Sequence, residues 1–258
     1  MRDEQLLRYS RQIMLPFLDV AGQQRLLDAT VLIVGMGGLG SPVALYLAAA
    51  GVGRLVLADH DHVELSNLQR QILHGQDDIG RSKVQSARDR LLALNPDVEV
   101  EMVDMALDDE RLEALLSRSR GTGTEAPRID LVVDGCDNFA TRFAVNRACV
   151  RNGVRLVSGA AIRMEGQVAV FDPAGEDSPC YQCLYSGGDD RDASCARNGV
   201  MAPLVGIIGA VQAMEAVKLL AGAGESLAGR LLLLDALTMQ WRELRLRRDP
   251  QCPVCAGS

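Results

Sequence analysis

The segment that most constrains the fold is "VLIVGMGGLGSP", residues 31–42, in which a short apolar strand runs directly into closely spaced glycines. Gly35, Gly37 and Gly40 have the GxGxxG spacing, and Gly38 is an additional glycine. Such a turn lets a phosphate approach backbone N–H groups at a helix N-terminus. The motif predicts a nucleotide pocket without separating NAD from ATP, and a glycine-rich turn that binds nothing is the alternative.

The alternation of apolar runs and helix-period segments predicts the architecture. Over the first 161 residues, strand-length apolar runs alternate with helical patterns, which favours a Rossmann-like, doubly wound α/β sheet of parallel strands. Beyond them, "GQVAVF", "LLLLDA" and "WRELRLR" predict antiparallel strands added to that sheet, and residues 203–220 predict a helix. Residues 117–128 and 186–198 have the composition of loops.

The overall charge excludes several classes of partner. A net charge of -7 and a pI near 5.1 argue against general affinity for nucleic acids or anionic membranes. The N-terminus lacks the apolar stretch of a signal peptide, and the longest apolar run, residues 200–211, is too short to cross a bilayer. We therefore expect a cytoplasmic protein.

Polar residues after the second predicted strand extend the nucleotide hypothesis. Asp59 ends that strand, where an acid can bind ribose hydroxyls. Asn67 and Arg70 share a face if they lie on a short helix, and Lys83 falls in the first turn of the next predicted helix. An amide and two cations placed there could neutralise a triphosphate and its transition state. A surface ion pair for Arg70 and a solvated Lys83 are the alternatives.

Two groups of acidic residues are candidate cation sites. Residues 59–62, "DHDH", alternate aspartate and histidine, but we interpret them as loop side chains because a metal also needs ligands that converge in space. Asp134 and Asp137 follow the fourth predicted strand, where open α/β sheets bind ligands. Asp137 is predicted to hold Mg²⁺ on ATP phosphates. Asp134 could instead be a strand-end residue and Asp137 a helix N-cap.

Four of the seven cysteines form two CxxC pairs. Cys180 and Cys183, together with Cys252 and Cys255, predict a closed tetrahedral Zn²⁺ site with a structural role. Two disulfides are the alternative, which the expected reducing compartment disfavours.

The remaining cysteines differ in their surroundings. Cys136 and Cys149 lie in apolar segments and are predicted to be buried thiols. Cys195 lies in a polar loop near Arg191 and Arg197, whose charges favour the thiolate.

The ordered set of motifs resembles the MoeB/ThiF family, relatives of the ubiquitin-activating enzymes. The matching segments are "RYSRQI", the glycine loop, "SNLQRQ", "CDN", "SGAAIRMEGQ", "CYQC", "GVMAP" and "CPVC". The resemblance implies one adenylation domain over residues 1–258. It would comprise a helical arm (1–28), a nucleotide-binding half (29–161) and a carrier-binding half (162–258) with the zinc knuckles and a crossover loop (184–202).

The chemistry implied by the resemblance is adenylation. ATP would react with the C-terminal Gly-Gly carboxylate of a ubiquitin-like sulfur carrier, giving an acyl-adenylate and pyrophosphate. By motif position, Asp59 would hold the ribose, Asn67, Arg70 and Lys83 the phosphates, and Asp137 the Mg²⁺. Arg11 would reach the ATP of the other subunit of a homodimer. Cys195 occupies the position of a family cysteine that joins covalently to the carrier in ThiF-type members and is dispensable for adenylation in MoeB-type members.

The segments divide between two pathways. "SGAAIRMEGQ" and "CARNGVMAP" resemble MoeB, whereas "RYSRQI" and "RLRRDPQCPVC" resemble ThiF at least as much. We expect the MoaD-type small subunit of molybdopterin synthase to be the carrier, in molybdenum cofactor biosynthesis, with ThiS of thiamine thiazole biosynthesis as the alternative. Because the sequence ends soon after the second knuckle, sulfur is expected from a separate sulfurtransferase or cysteine desulfurase. A nicotinamide-dependent oxidoreductase and a catalytically silent carrier-binding scaffold remain as alternatives of other classes.

Overall fold

One mixed sheet organises the computed structural model, which describes residues 1–118, 127–175, 178–185 and 198–256. Its strands are β1 (Thr30–Val34), β2 (Arg54–Ala58), β3 (Glu99–Val103), β4 (Leu131–Asp134), β5 (Arg155–Ile162), β6 (Glu165–Phe171), β7 (Arg230–Asp235) and β8 (Gln240–Arg245). The helices in these residues are α1 (Asp3–Arg8), α2 (Ser10–Ile13), α3 (Asp19–Asp28), α4 (Gly40–Ala50), α5 (Lys83–Leu94), α6 (Asp109–Ser117), α7 (Phe139–Asn152), α8 (Tyr181–Leu184) and α9 (Ala202–Ala221).

The strand order confirms the predicted architecture. The order is β3-β2-β1-β4-β5-β6-β7-β8, in which the first five strands are parallel and the remaining pairings are antiparallel. The chain moves outward from β1 to β3 and then returns to place β4 on the other side of β1. This reversal between β1 and β4 is a topological switch point, where open α/β sheets bind ligands.

Both faces of the central parallel strands β1, β2 and β4 are buried, as their continuous apolar runs predicted, whereas the edge strand β3 is partly exposed. Along β1, Val31 and Ile33 pack into one core with α4, α5 and α9, whereas Leu32 and Val34 pack into a second core with α6 and α7. Burying a large aliphatic side chain stabilises the fold by about 1.5–3 kcal/mol. Packing in these two cores therefore holds the central strands, and with them their carboxyl ends, in a fixed position.

Helix α9 belongs to the core of the sheet domain. Pro203 occupies its first turn, where a missing N–H costs little, as predicted. Among the described helices, α9 has the length and apolarity that crossing a membrane would require, and 56% of its most apolar window is buried. Leu204 and Ile208 pack onto the sheet beside Gly166 of β6.

One helix and one loop boundary depart from the sequence-based expectations. Helix α6 was not predicted, although a parallel crossover from β3 to β4 needs an intervening segment, most often a helix. Asp108 caps it by accepting a hydrogen bond from the Arg111 N–H at 2.9 Å. The loop predicted at residues 117–128 begins later, because Ser117 is the last residue of α6. The rest of that loop lies mostly in residues 119–126, and the other predicted loop mostly in residues 186–197, both outside the described chain.

Candidate functional site

A cavity of about 610 Å³ opens at the carboxyl ends of the central strands. Val34, Ala58 and Ile162, the last residues of β1, β2 and β5, line it. It therefore lies at the topological switch point, and it extends along the sheet as far as Leu233 of β7 and Arg242 of β8.

The glycine loop forms one wall of this cavity. Gly35, Gly37 and Gly38 line it, and Gly35 has φ +92°, a conformation that favours glycine. Gly40 does not line the cavity, contrary to its predicted role in binding. A Cβ on Gly40 would lie 1.8 Å from the Gly35 carbonyl oxygen, so Gly40 serves the close packing of α4 against this turn.

Asp59 lines the cavity and also holds the glycine loop in place. Its carboxylate accepts hydrogen bonds from the N–H of Met36 at 2.7 Å and from the N–H of Asp61 at 2.9 Å. Each oxygen retains a further lone pair, because a carboxylate oxygen can accept two hydrogen bonds. Asp59 can therefore bind a hydroxyl without releasing the loop.

Lys83 is a buried cation on the cavity wall. Its side chain is 7% exposed, and Nζ lies 2.8 Å from the Asp61 carboxylate. Burial alone would raise the pKa of Asp61, but the hydrogen bond and charge of Lys83 together lower it. The ammonium is therefore held at the cavity by a partner that stays ionised, and the alternative of a solvated Lys83 is wrong.

Residues 59–62 divide in the structure. The ligand atoms of Asp59, His60 and Asp61 lie within 4.8 Å of one another, whereas His62 forms an isolated β-bridge with Ser82. Asp61 already pairs with the Lys83 ammonium, and Asp59 with backbone N–H groups.

Arg70 and Asn67 differ in their position relative to the cavity. Arg70 lines the cavity, and its Nη1 donates to the Ser66 carbonyl at 3.1 Å. Within the described chain it makes no ion pair, so the surface-pair alternative is not observed. Asn67 does not line the cavity; its Oδ1 accepts from the Glu64 N–H at 3.2 Å and caps the 3₁₀ turn Leu65–Asn67.

Asp134 and Asp137 have opposite environments. Asp134 is 1% exposed and accepts hydrogen bonds from Ser158 Oγ at 2.8 Å and the Cys136 N–H at 2.9 Å, which makes it the strand-end residue. Asp137 is exposed in the cavity wall and has no hydrogen-bond partner among the described residues. The N-cap of α7 is Asn138, so the capping alternative for Asp137 is wrong.

Arg142 is a cavity residue that sequence reasoning missed. The buried guanidinium donates to the carbonyl oxygens of Cys136 and Gly159, which joins the turn after β4 to the middle of β5. Burial alone would lower the pKa of Arg142, but the charge of nearby Asp134 raises it, so the guanidinium stays charged. Nothing in a helical pattern distinguishes such an arginine from one on the surface.

The two described cysteines outside the CxxC pairs are buried, as predicted. Burial raises the pKa of Cys136 and of Cys149, so both are protonated and unreactive at neutral pH. Cys195, with Arg191 and Arg197, lies outside the described residues.

Arg11 lies outside the wall of this cavity. It is exposed on α2 and does not line the cavity of its own chain.

The four CxxC cysteines converge on one point, as predicted. Their Sγ atoms lie within 4.8 Å of one another, with individual separations of 3.6 Å (Cys180 to Cys252), 3.4 Å (Cys183 to Cys255) and 3.9 Å (Cys180 to Cys183). A tetrahedral centre with Zn–S bonds of about 2.3 Å separates its sulfurs by about 3.8 Å. A disulfide would need about 2.05 Å, so the disulfide alternative is wrong. The cluster has the geometry of a closed zinc site.

Hydrogen bonds around the cluster orient two of its sulfurs. Asn146 Nδ2 donates to Cys180 Sγ at 3.5 Å, and the Asp249 N–H donates to Cys183 Sγ at 3.4 Å. Asn146 lies on α7, so the cluster ties the C-terminal segment to the helix that follows the Asp137 turn. A zinc ion there would stabilise this connection.

Comparison with known proteins agrees with this geometry. The sequence matches the ThiF family over residues 9–254. This chain belongs to the ThiF family. It is 49% identical over 253 residues to molybdopterin-synthase adenylyltransferase of Escherichia coli strain K12, covering 98% of this chain and 97% of the relative. It is 47% identical over 258 residues to sulfur carrier protein ThiS adenylyltransferase of the same strain, covering 100% of this chain and 98% of the relative.

A solved structure shares the fold of this ThiF-family chain. The crystal structure of E. coli MccB with ATP superposes with a TM-score of 0.81 at 26% identity, covering 96% of this chain and 74% of MccB. The predicted family and fold class are thereby confirmed.

Proposed function

We propose that this protein uses ATP to adenylylate the C-terminal Gly-Gly carboxylate of a ubiquitin-like sulfur carrier protein. One observation carries the proposal: a single cavity at the switch point brings together the glycine loop, Arg70, Lys83 and Asp137, which has no partner among the described residues. The ThiF-family relatives named as adenylyltransferases and the ATP-bound structure of MccB support the same reaction.

The residues of the cavity suit a reaction that needs no strong base. The carrier carboxylate is ionised at neutral pH, so it attacks the α-phosphorus directly while the bond to the β-phosphate breaks and pyrophosphate leaves. Catalysis then depends on in-line positioning and on neutralising charge on the leaving group. We assign the ribose to Asp59 and the departing pyrophosphate to Arg70 and Lys83.

Asp137 is the proposed ligand of Mg²⁺. Mg²⁺ in nucleotide sites takes one or two carboxylates together with phosphate oxygens, and when bound it withdraws charge from those phosphates. Asp137 fits because it is exposed in the cavity wall beside the α7 N-terminus and is not consumed by another partner in the described chain.

The antiparallel part of the sheet is the proposed docking surface for the carrier. The cavity continues from the glycine loop past Gly166 to Arg242, and every residue of β8 is exposed, including Leu244 at 50%. Gln167 and Tyr185 line this extension and hydrogen-bond to each other, Nε2 donating to Oη at 2.6 Å. The carrier's C-terminal tail would follow this path to the α-phosphate.

A homodimer in which Arg11 acts on the neighbouring subunit's ATP is also proposed. Large apolar side chains on the N-terminal segment face solvent, among them Leu7 (78% exposed), Met14 (70%) and Phe17 (64%). Covering such a surface is what an interface between copies achieves. Mixing Arg11→Ala subunits with Asp137→Ala subunits should restore activity that neither variant has alone; no restoration contradicts the shared site.

The later steps of the pathway are proposals as well. We assign a MoaD-type carrier in molybdenum cofactor biosynthesis, with ThiS as the alternative, and sulfur supply by a sulfurtransferase or cysteine desulfurase in the cytoplasm. Cys195 is the candidate thiol for covalent attachment of the carrier. Full carrier adenylation and sulfur incorporation by the Cys195→Ala variant would remove that role.

The test of the proposed function is carrier-dependent exchange of labelled pyrophosphate into ATP. Purified protein is assayed with a MoaD-type carrier, with ThiS, and with each carrier lacking its terminal glycine as the matched control. Exchange with an intact carrier and none with its truncated form is expected, and the faster carrier identifies the pathway. Absence of exchange with both carriers, together with binding of NAD(H), would favour the oxidoreductase alternative.

A further inference from the structure

Gln71 is a buried amide in the wall of the nucleotide cavity. Gln71 is 4% exposed and lies in the turn that also carries Arg70. The backbone holds it in place, since its N–H donates to the Asn67 carbonyl at 3.0 Å and its carbonyl accepts from the His74 N–H at 3.1 Å. These hydrogen bonds hold the backbone of Gln71 beside the cavity and leave the side-chain amide free of that task.

The amide of Gln71 lacks the partners that a structural role would provide. Its Oε1 is fully buried and makes no hydrogen bond in the described chain. Other buried side-chain atoms in the described chain also lack a partner, but Gln71 is the one residue among them that lines the cavity. Leaving a buried acceptor unpaired costs about 1–3 kcal/mol. Most buried polar groups are therefore paired.

Gln23 shows what a buried structural glutamine looks like in this chain. It is 0% exposed and does not line the cavity. Its Oε1 accepts from Gln12 Nε2 at 2.7 Å, and its Nε2 donates to the Ala50 carbonyl at 3.0 Å. Gln23 has both ends of its amide paired, whereas Gln71 lines the cavity and its Oε1 is buried without a partner in the described chain.

The position of the amide indicates what it binds. Gln71 Nε2 lies 3.5 Å from the point that a Cβ on Gly37 would occupy, beside the backbone that phosphates approach in glycine loops. Phosphate oxygens accept hydrogen bonds, and the amide N–H groups can donate to them.

We propose that Gln71 is a nucleotide-binding residue whose side-chain Nε2, beside Gly37, donates a hydrogen bond to the phosphates of ATP. This assignment rests on the proposed function, because it requires the cavity to bind ATP. It places a neutral donor between the glycine loop and Arg70. ATP then supplies an acceptor for Nε2, which makes no hydrogen bond in the described chain.

Comparing two matched substitutions tests the assignment. Gln71→Leu and Gln23→Leu each replace a buried glutamine with an apolar residue of similar size. Their ATP dissociation constants are measured by isothermal titration calorimetry without carrier, and their melting temperatures by calorimetry without ATP. Gln71→Leu should weaken ATP binding by about tenfold or more and leave the melting temperature unchanged or higher. Gln23→Leu should lower the melting temperature and change ATP affinity less than about twofold.

The outcomes separate this inference from the proposed function. A Gln71→Leu protein that binds ATP as tightly as wild type, or that melts as early as Gln23→Leu, overturns the assignment. Gln71→Met, which keeps the unbranched shape, provides the same two readouts if the leucine variant does not fold. If the wild-type protein binds no ATP, the proposed function itself fails. If the wild type binds ATP and Gln71→Leu binds it equally well, only the assignment of Gln71 fails.

Discussion

The cysteine cluster and the glycine-loop cavity are both built from polar side chains at turns, yet they satisfy those side chains in opposite ways. At the cluster, four sulfurs converge on one point and Asn146 donates to Cys180, so its polar groups are directed inward. At the cavity, Asp137 and the Gln71 acceptor are left without partners in the described chain. The difference teaches that the first region is organised to hold the fold and the second to bind a ligand.

The largest expected effect comes from breaking the cluster. Cys252→Ser, or removal of zinc with a chelator, should lower the melting temperature by at least about 10 °C, because a structural zinc site contributes several kcal/mol to folding. Calorimetry together with metal analysis measures this. Cys149→Ala is the matched control: it removes a buried thiol outside the cluster and should retain zinc. A chelated protein that keeps its melting temperature would contradict the structural role.

The two aspartates that follow β4 should separate activity from stability. Asp137→Ala should reduce carrier-dependent pyrophosphate exchange by at least about 100-fold, since it removes the proposed Mg²⁺ ligand, and should leave the melting temperature within about 2 °C.

Asp134→Ala should instead lower the free energy of unfolding by about 3–5 kcal/mol, because it leaves Ser158 and the buried Arg142 without their carboxylate partner. Urea unfolding and exchange are measured on both variants. If Asp137→Ala retains near-normal exchange, or is as destabilised as Asp134→Ala, the distinction between the two positions is lost.

The smallest effect is expected at Arg70. Arg70→Ala should slow exchange by about tenfold and raise the KM for ATP, because it removes one of two proposed cations on the leaving group. Its melting temperature should hardly change, since its one observed hydrogen bond, to the Ser66 carbonyl, is exposed. Arg81→Ala is the matched control, because Arg81 pairs with Asp78 and Asp89 outside the cavity. Equal exchange rates in the two variants would remove Arg70 from the site.

The sequence predicted the sheet and the zinc cysteines well because their signals are local. Continuous apolar runs identify strands buried on both faces, and CxxC spacing places two thiolates on one turn. Helix α6 was missed since its nine residues are interrupted by charges and its only clear signal is the Asp108 cap. The requirement for a crossover between β3 and β4 could have revealed it.

The polar residues of the cavity were harder to predict because burial decides their roles. Asp134 and Asp137 are three residues apart and look alike in the sequence, yet one is buried and bonded and the other exposed. Gly40 keeps the GxGxxG spacing but serves packing rather than the cavity wall. Gln71 stands in the "SNLQRQ" segment, but only the folded chain shows that Gln71 and Arg142 line the cavity.

The most direct test of the account follows the α-phosphate of ATP. The protein is incubated with an intact Gly-Gly carrier and ATP labelled either at the α-phosphate or at the γ-phosphate, and the carrier is then separated and counted. Attack by the carboxylate on the α-phosphorus predicts label on the carrier from α-labelled ATP only, with the γ-label recovered in pyrophosphate. Label transferred to the carrier from γ-labelled ATP, or from neither, would contradict adenylylation as the function of this cavity.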